Sequence, residues 1–144
     1  MLQDYITFLH DLSSNNNKVW FDSHKDHYLE LQKEYENFVD EMIIELHKID
    51  NNIQFLTKRE TMFRIYRDAR FNFGRIKTPY KTWISCAFSP NGKKADEPAY
   101  FFRLNSVGEL SVGGGLWTPE PEKLLIVRKN LRGRYQLQYA LLIY

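Results

Sequence analysis

Tyr28–Ile49 reads Y-L-E-L-Q-K-E-Y-E-N-F-V-D-E-M-I-I-E-L-H-K-I. Tyr28, Leu31, Tyr35, Phe38, Val39, Met42, Ile43, Leu46 and Ile49 recur at three- and four-residue steps, which is the stripe of one helix face. Glu30, Glu34, Glu36, Asp40, Glu41 and Glu45 fall mostly outside that stripe. An apolar stripe with an acidic back predicts a long core-facing helix on which the rest of the chain packs. The competing reading is a helix that binds a partner. Asp50-Asn51-Asn52 ends the run, because short polar side chains compete for backbone hydrogen bonds.

Upstream, Leu2, Tyr5, Ile6, Leu9 and Leu12 predict a short amphipathic helix. Ser13 to Asn17 stops it with residues that cap and turn. Trp20-Phe21 follows as an aromatic plug, and Ser23 with Asp26 forms a weak capping box before the long helix. Downstream, Trp83–Phe88, Ala99–Asn105 and Leu110–Gly113 read as strands, the first closed by the turn signal Ser89-Pro90-Asn91-Gly92. Thr118 reads as an N-cap with Pro119 at the first position of a helix that stops near Gly133. Tyr135, Leu137, Tyr139, Leu141 and Ile143 alternate as a final strand. The expected architecture is α+β: an antiparallel meander of three to four strands packed on the long helix, with short flanking helices.

The chain of 144 residues is long enough for one domain with a core. The expected division is a domain over residues 1–131 and a divergent, shortened or frameshifted end over 132–144. No apolar run approaches the roughly 20 residues that cross a bilayer, and the start M-L-Q-D-Y lacks a signal-peptide pattern. The lone Cys86 cannot form an internal disulfide and reads as a small core residue. These features predict a cytoplasmic protein with no membrane association.

Charge is distributed unevenly. Residues 58–82 hold eight cations and two acids, a net of +6, so that the other residues together carry −4 of the chain's +2. Within them lies Met62–Thr82, M-F-R-I-Y-R-D-A-R-F-N-F-G-R-I-K-T-P-Y-K-T, where arginines and lysines alternate with aromatics. Phe63, Ile65 and Arg67 alternate with Met62, Arg64 and Tyr66 as in a short strand ending near Asp68. An irregular loop through Gly74 follows.

Several separated motifs stand in order: Phe8-Leu9, Leu12, Asn15-Asn16 and Trp20-Phe21; then F-R-I-Y-R-D-A-R-F from Phe63; K-T-P-Y-K-T from Lys77; and G-G-G-L-W-T-P-E-P from Gly113. The series resembles a widespread family of bacterial and fungal proteins classed as a domain of unknown function. The resemblance covers Phe8 to Leu131 and supports the order of elements. It carries no activity. The family's join between R-F and K-T-P-Y-K is usually shorter and often holds an acid; here it is Asn72-Phe73-Gly74-Arg75-Ile76, without one.

The basic stretch supplies the functional expectation. Arg64, Arg67, Arg70, Lys77 and Lys81 could together bind an anion, since guanidinium forks match phosphate and carboxylate and lysine adds a point charge. Asp68 would orient an arginine, and Trp20 and Tyr80 would form walls. The ligand would be a small phosphate- or carboxylate-bearing molecule. Two alternatives remain: the cations pair structurally with the acidic body in a protein-interaction module, or the surface serves nucleic acid, as a binder or as a phosphoester hydrolase. No protein partner and no cofactor is identifiable. Gly113-Gly114-Gly115 lacks both the P-loop Lys-Ser/Thr and the G-x-G-x-x-G spacing, and reads as a bulge or close backbone packing. His24 and His27, with Asp22 and Asp26, have a spacing that could hold a metal, but read as solvated surface because no third ligand stands nearby in sequence. No Ser-His-Asp or Cys-His arrangement is readable.

Overall fold

The computed structural model describes residues 2–53, 55–68, 78–94, 96–116 and 119–134, with backbone alone from residue 131. Helix α1 spans Leu2–Ser14, α2 Lys18–Ser23, α3 Lys25–His47 and α4 Lys58–Thr61; strands β1 (Trp83–Phe88), β2 (Ala99–Asn105) and β3 (Leu110–Gly115) follow, then α5 (Pro121–Arg134). A 3-10 turn at Asn51–Ile53 closes α3. The strands form one antiparallel sheet in the order β1-β2-β3. The fold is α+β, with the long helix packed on the sheet, as its stripe predicted.

The core follows from two periodicities. Tyr28, Leu31, Tyr35, Val39, Ile43 and Leu46 of α3 are buried together with Tyr5, Phe8, Leu9 and Leu12 of α1. Against them lie Ile84, Cys86 and Phe88 of β1 and Phe102 and Leu104 of β2, which alternate with outward residues. Burial pushes the Cys86 thiol up to about 11, consistent with its reading as a core residue. Ile49 departs from the stripe: α3 stops at His47, and Ile49 is 76% exposed. Among the described residues, the buried core lies over β1 and β2. Leu110 and Val112 of β3, which oppose Leu104 and Phe102, stay exposed.

Local signals differ from expectation in two places. Ser23 forms no capping box for α3; its hydroxyl donates to the Trp20 carbonyl at 2.8 Å, and α3 begins after His24 without a side-chain cap. The shorter Asp26 leaves nothing to close the box. Asn17 caps α2 instead, its Oδ1 accepting from the Trp20 amide at 3.0 Å. The last helix begins at Pro121, not Pro119, and continues through Gly133 to Arg134. Either proline suits a first helical position, because neither has an amide to lose, so the dipeptide pattern could not choose between them. The strand expected over residues 135–143 and the proposed cap Thr118 lie outside the described residues.

Candidate anion-binding site

The site begins at a turn that sequence reading passed over. Thr57 and Glu60 make a full capping box: the Thr57 amide and hydroxyl donate to Glu60 Oε2 at 2.9 and 2.7 Å, and the Glu60 amide donates back to Thr57 Oγ1 at 3.4 Å. The single helical turn α4 then releases Met62 into extended conformation. Residues 62–67 run along the outer edge of β1 as a segment with isolated bridges, less regular than the expected strand. Met62 bridges Cys86, and Tyr66 bridges Tyr80. The Phe63 amide donates to Ser85 at 3.0 Å, the Lys81 amide to Ile65 at 2.8 Å and the Arg67 amide to Pro79 at 2.9 Å. The R-x-Y-R-D and T-P-Y-K segments are therefore partners.

Four cations collect on two aromatic rings. Lys81 Nζ donates to the Arg64 carbonyl at 2.8 Å and lies 5.7 Å from the centre of the Phe63 ring. Lys93 Nζ lies 5.8 Å from the same ring and donates to the carbonyls of Met62, at 2.5 Å, and of Arg59. Arg67 places its guanidinium 5.1 Å from the Trp83 ring centre while its Nε donates to the Tyr80 carbonyl at 3.0 Å. Arg103, from β2, lies 4.6 Å from that indole. All four distances fall within the reach of cation–π attraction, about 6 Å.

The electrostatics are unfavourable to the two lysines. Partial burial, and then the charges of Arg64, Arg67 and Lys93, hold the Lys81 ammonium below the usual lysine range. Lys93 is lowered by burial and by Lys94 and Arg59, against which Glu60 acts weakly. Lys58 behaves otherwise. It reaches Glu36 at 3.4 Å and Asp40 at 3.1 Å on α3, which is the structural pairing with the acidic body that the sequence offered as an alternative.

Of the expected site residues, Arg64, Arg67 and Lys81 come together, and Asp68 sits half-buried at the end of the described segment. Arg70 and Lys77 lie outside the described residues. Tyr80 is buried, its ring stacked on Phe21 at 4.0 Å, so that it enters the site through its backbone. Trp20 packs on Phe8 at 5.6 Å and on the His24 ring at 4.0 Å. The rings that flank the cations are Phe63 and Trp83. Sequence reading missed Phe63, Trp83, Lys93 and Arg103 as site residues. Phe63 left a trace as one of the aromatics interleaved with the cations of Met62–Thr82, and Arg103 as the one charge in A-Y-F-F-R-L-N.

Elsewhere, Gly113 serves close packing, as expected: an added Cβ would stand 2.8 Å from Phe101 Cζ. Among the described residues no group of three or more His, Cys, Asp or Glu side chains is set to hold a metal ion. No described helix is long and apolar enough to cross a membrane. A cleft of about 410 Å³ opens at the other end of the sheet from Trp83, bordered by Asp50, Glu97, Tyr100 and Gly114. Its carboxylates are occupied locally: Asp50 by Asn52 and Tyr100, Glu97 by Ser89 and Asn91. They act as loop clasps, and the basic surface holds the stronger chemical case.

A family model described as a conserved hypothetical protein, DUF2461, matches residues 4–141. No curated protein and no solved structure matches the chain.

Proposed function

For a chain that belongs to the DUF2461 family, we propose that the basic surface around Lys81 binds a phosphate- or carboxylate-bearing ligand. One observation carries this: the partly buried Lys81 ammonium donates to the Arg64 carbonyl and lies over the Phe63 ring, with the cations Arg64, Arg67 and Lys93 near enough to lower its hold on the proton. Surface ion pairs contribute only about 0–1 kcal/mol, and a cluster of like charges costs stability. An incoming anion would relieve repulsion among all four groups at once. Arg67 is held by the Tyr80 carbonyl and the Trp83 ring, so part of the ordering that binding requires is already in place.

A thermal-shift series with inorganic phosphate, nucleotides, sugar phosphates and di- and tricarboxylates tests the proposal. Stabilisation by one anion class is expected, and it should be reduced in Arg67→Ala. No shift with any anion, with Arg67→Ala unchanged, would overturn it. The reading of the cluster as a structural network makes the opposite forecast, because there Arg67→Glu should unfold the protein while added anions do nothing.

A further inference from the structure

The face of the sheet turned away from α1 and α3 carries, among the described residues, mostly small side chains. Ile84, Cys86, Phe88, Phe102 and Leu104 point into the core, so Trp83, Ser85, Ala87, Phe101, Arg103 and Asn105 point out. The pairing register places them in rows. Ala87, Phe101 and Gly113 form one row across the three strands, and Ser85, Arg103 and Ser111 form the next. Phe101 is thus the sole bulky side chain of its row. Its ring lies over Gly113 so closely that any side chain there would strike it, and it keeps 37% of its surface exposed. A phenyl ring seated on a glycine, with Ala87 on the other side of its row, keeps part of its surface accessible for stacking. Trp83, with Arg103 and Arg67 on its indole, continues the surface towards the basic edge, and Phe63 with Lys81 and Lys93 completes it.

We propose that this outer face binds single-stranded nucleic acid, with Phe101 and the Trp83–Arg103 stack receiving bases and Arg67, Lys81 and Lys93 following the phosphates. The proposal takes its cations from the anion-binding reading and adds the polymer and the stacking. Base stacking on an aromatic ring tolerates any sequence, and a row of cations holds the backbone. A guanidinium lying on an indole offers its own plane to a base as well. Single strands fit better than duplex, because stacked base pairs hide the faces that the exposed rings would receive. Strands of six or seven residues give a face of roughly 20 Å, room for a few nucleotides.

The test is fluorescence anisotropy of end-labelled oligothymidylates of 2, 4, 8 and 16 nucleotides, with a 16-base-pair duplex as competitor. Affinity should rise steeply from two to four nucleotides and little beyond that, and the duplex should compete poorly. Three to four phosphate contacts predict a log–log salt slope of about −2 to −3. Phe101→Ala leaves every cation in place and should weaken binding at least fivefold. Should that variant fail to fold, Phe101→Leu keeps the apolar bulk without the ring and replaces it. Wild-type affinity in the Phe101 variant, equal competition by duplex, or a 16-mer bound no tighter than a mononucleotide would overturn the proposal. In those cases persistent stabilisation by phosphate or mononucleotide leaves the anion site standing. If no anion of any size binds, both readings fall.

Discussion

The side chain of Asn16 holds both backbone polar groups of Tyr80, 64 residues away in sequence: its Oδ1 accepts from the Tyr80 amide and its Nδ2 donates to the Tyr80 carbonyl, each at 3.1 Å. The amide side chain imitates one rung of a β-ladder where the turn after α1 meets the approach to β1. The same carbonyl accepts from Arg67 Nε. One asparagine therefore fixes the strand entry that presents Tyr80 to Phe21 on one side and Arg67 to Trp83 on the other.

Asn16→Ala removes two partly buried hydrogen bonds, each worth about 1 kcal/mol, and should destabilise the fold by about 2 kcal/mol in urea denaturation. Asn16→Asp keeps the acceptor for the Tyr80 amide but sets a carboxylate oxygen against the Tyr80 carbonyl, and should cost at least as much. An unchanged midpoint in both variants would show that the clasp contributes nothing.

Thr57→Ala should destabilise by about 1 kcal/mol through loss of the helix cap. The Thr57 hydroxyl, then its amide, hold the Glu60 carboxyl below its ordinary range. A carboxyl depressed in the folded state contributes stability above its unfolded value of 4.5 and loses that contribution as pH falls through the folded value. The wild type should therefore lose more stability than Thr57→Ala on acidification from pH 6 to pH 3. Parallel pH–stability curves would refute the coupling.

Lys81 gives a pH dependence of the same sign from the opposite cause, because here the charged form is the one the fold disfavours. Its folded ammonium is held below 10.5 by burial and neighbouring cations, so the unfolded chain binds the proton more readily. Stability should rise as pH passes from the folded value towards 10.5. Lys81→Met removes the misplaced charge and should raise the thermal midpoint of the ligand-free protein while reducing stabilisation by phosphate. A lowered midpoint would mean that the ammonium stabilises the fold. In Lys81→Arg the alkaline rise should disappear, since guanidinium does not titrate in this range.

Cys86 is 1% exposed, and burial raises its thiol to about 11. Ellman's reagent should label it in the native protein only through opening of the fold, and at full speed in denaturant. Complete labelling within seconds under native conditions at pH 8 would contradict its place between α3 and the sheet.

Sequence by itself determined the layers of this protein. The stripe of α3 and the alternation in β1 and β2 are local periodicities, and burying them on each other leaves little architectural choice. It also located the positive charge, because the cations of residues 58–82 are close in sequence. Which side chains lie beside those cations depends on tertiary structure. Lys93 reaches the Met62 carbonyl from a loop 31 residues away, and Arg103 meets Arg67 on Trp83 because strand register places β2 beside β1. Neither contact leaves a periodic trace, since each depends on which strand lies next to which. The same holds for Tyr80. Its place in the basic stretch suggested a wall for the site, yet the ring is turned into the core by stacking on Phe21, and its backbone carbonyl is the part that Asn16 and Arg67 share. A residue type shows what a side chain can do. Only packing decides whether the side chain or the backbone of that residue faces the site.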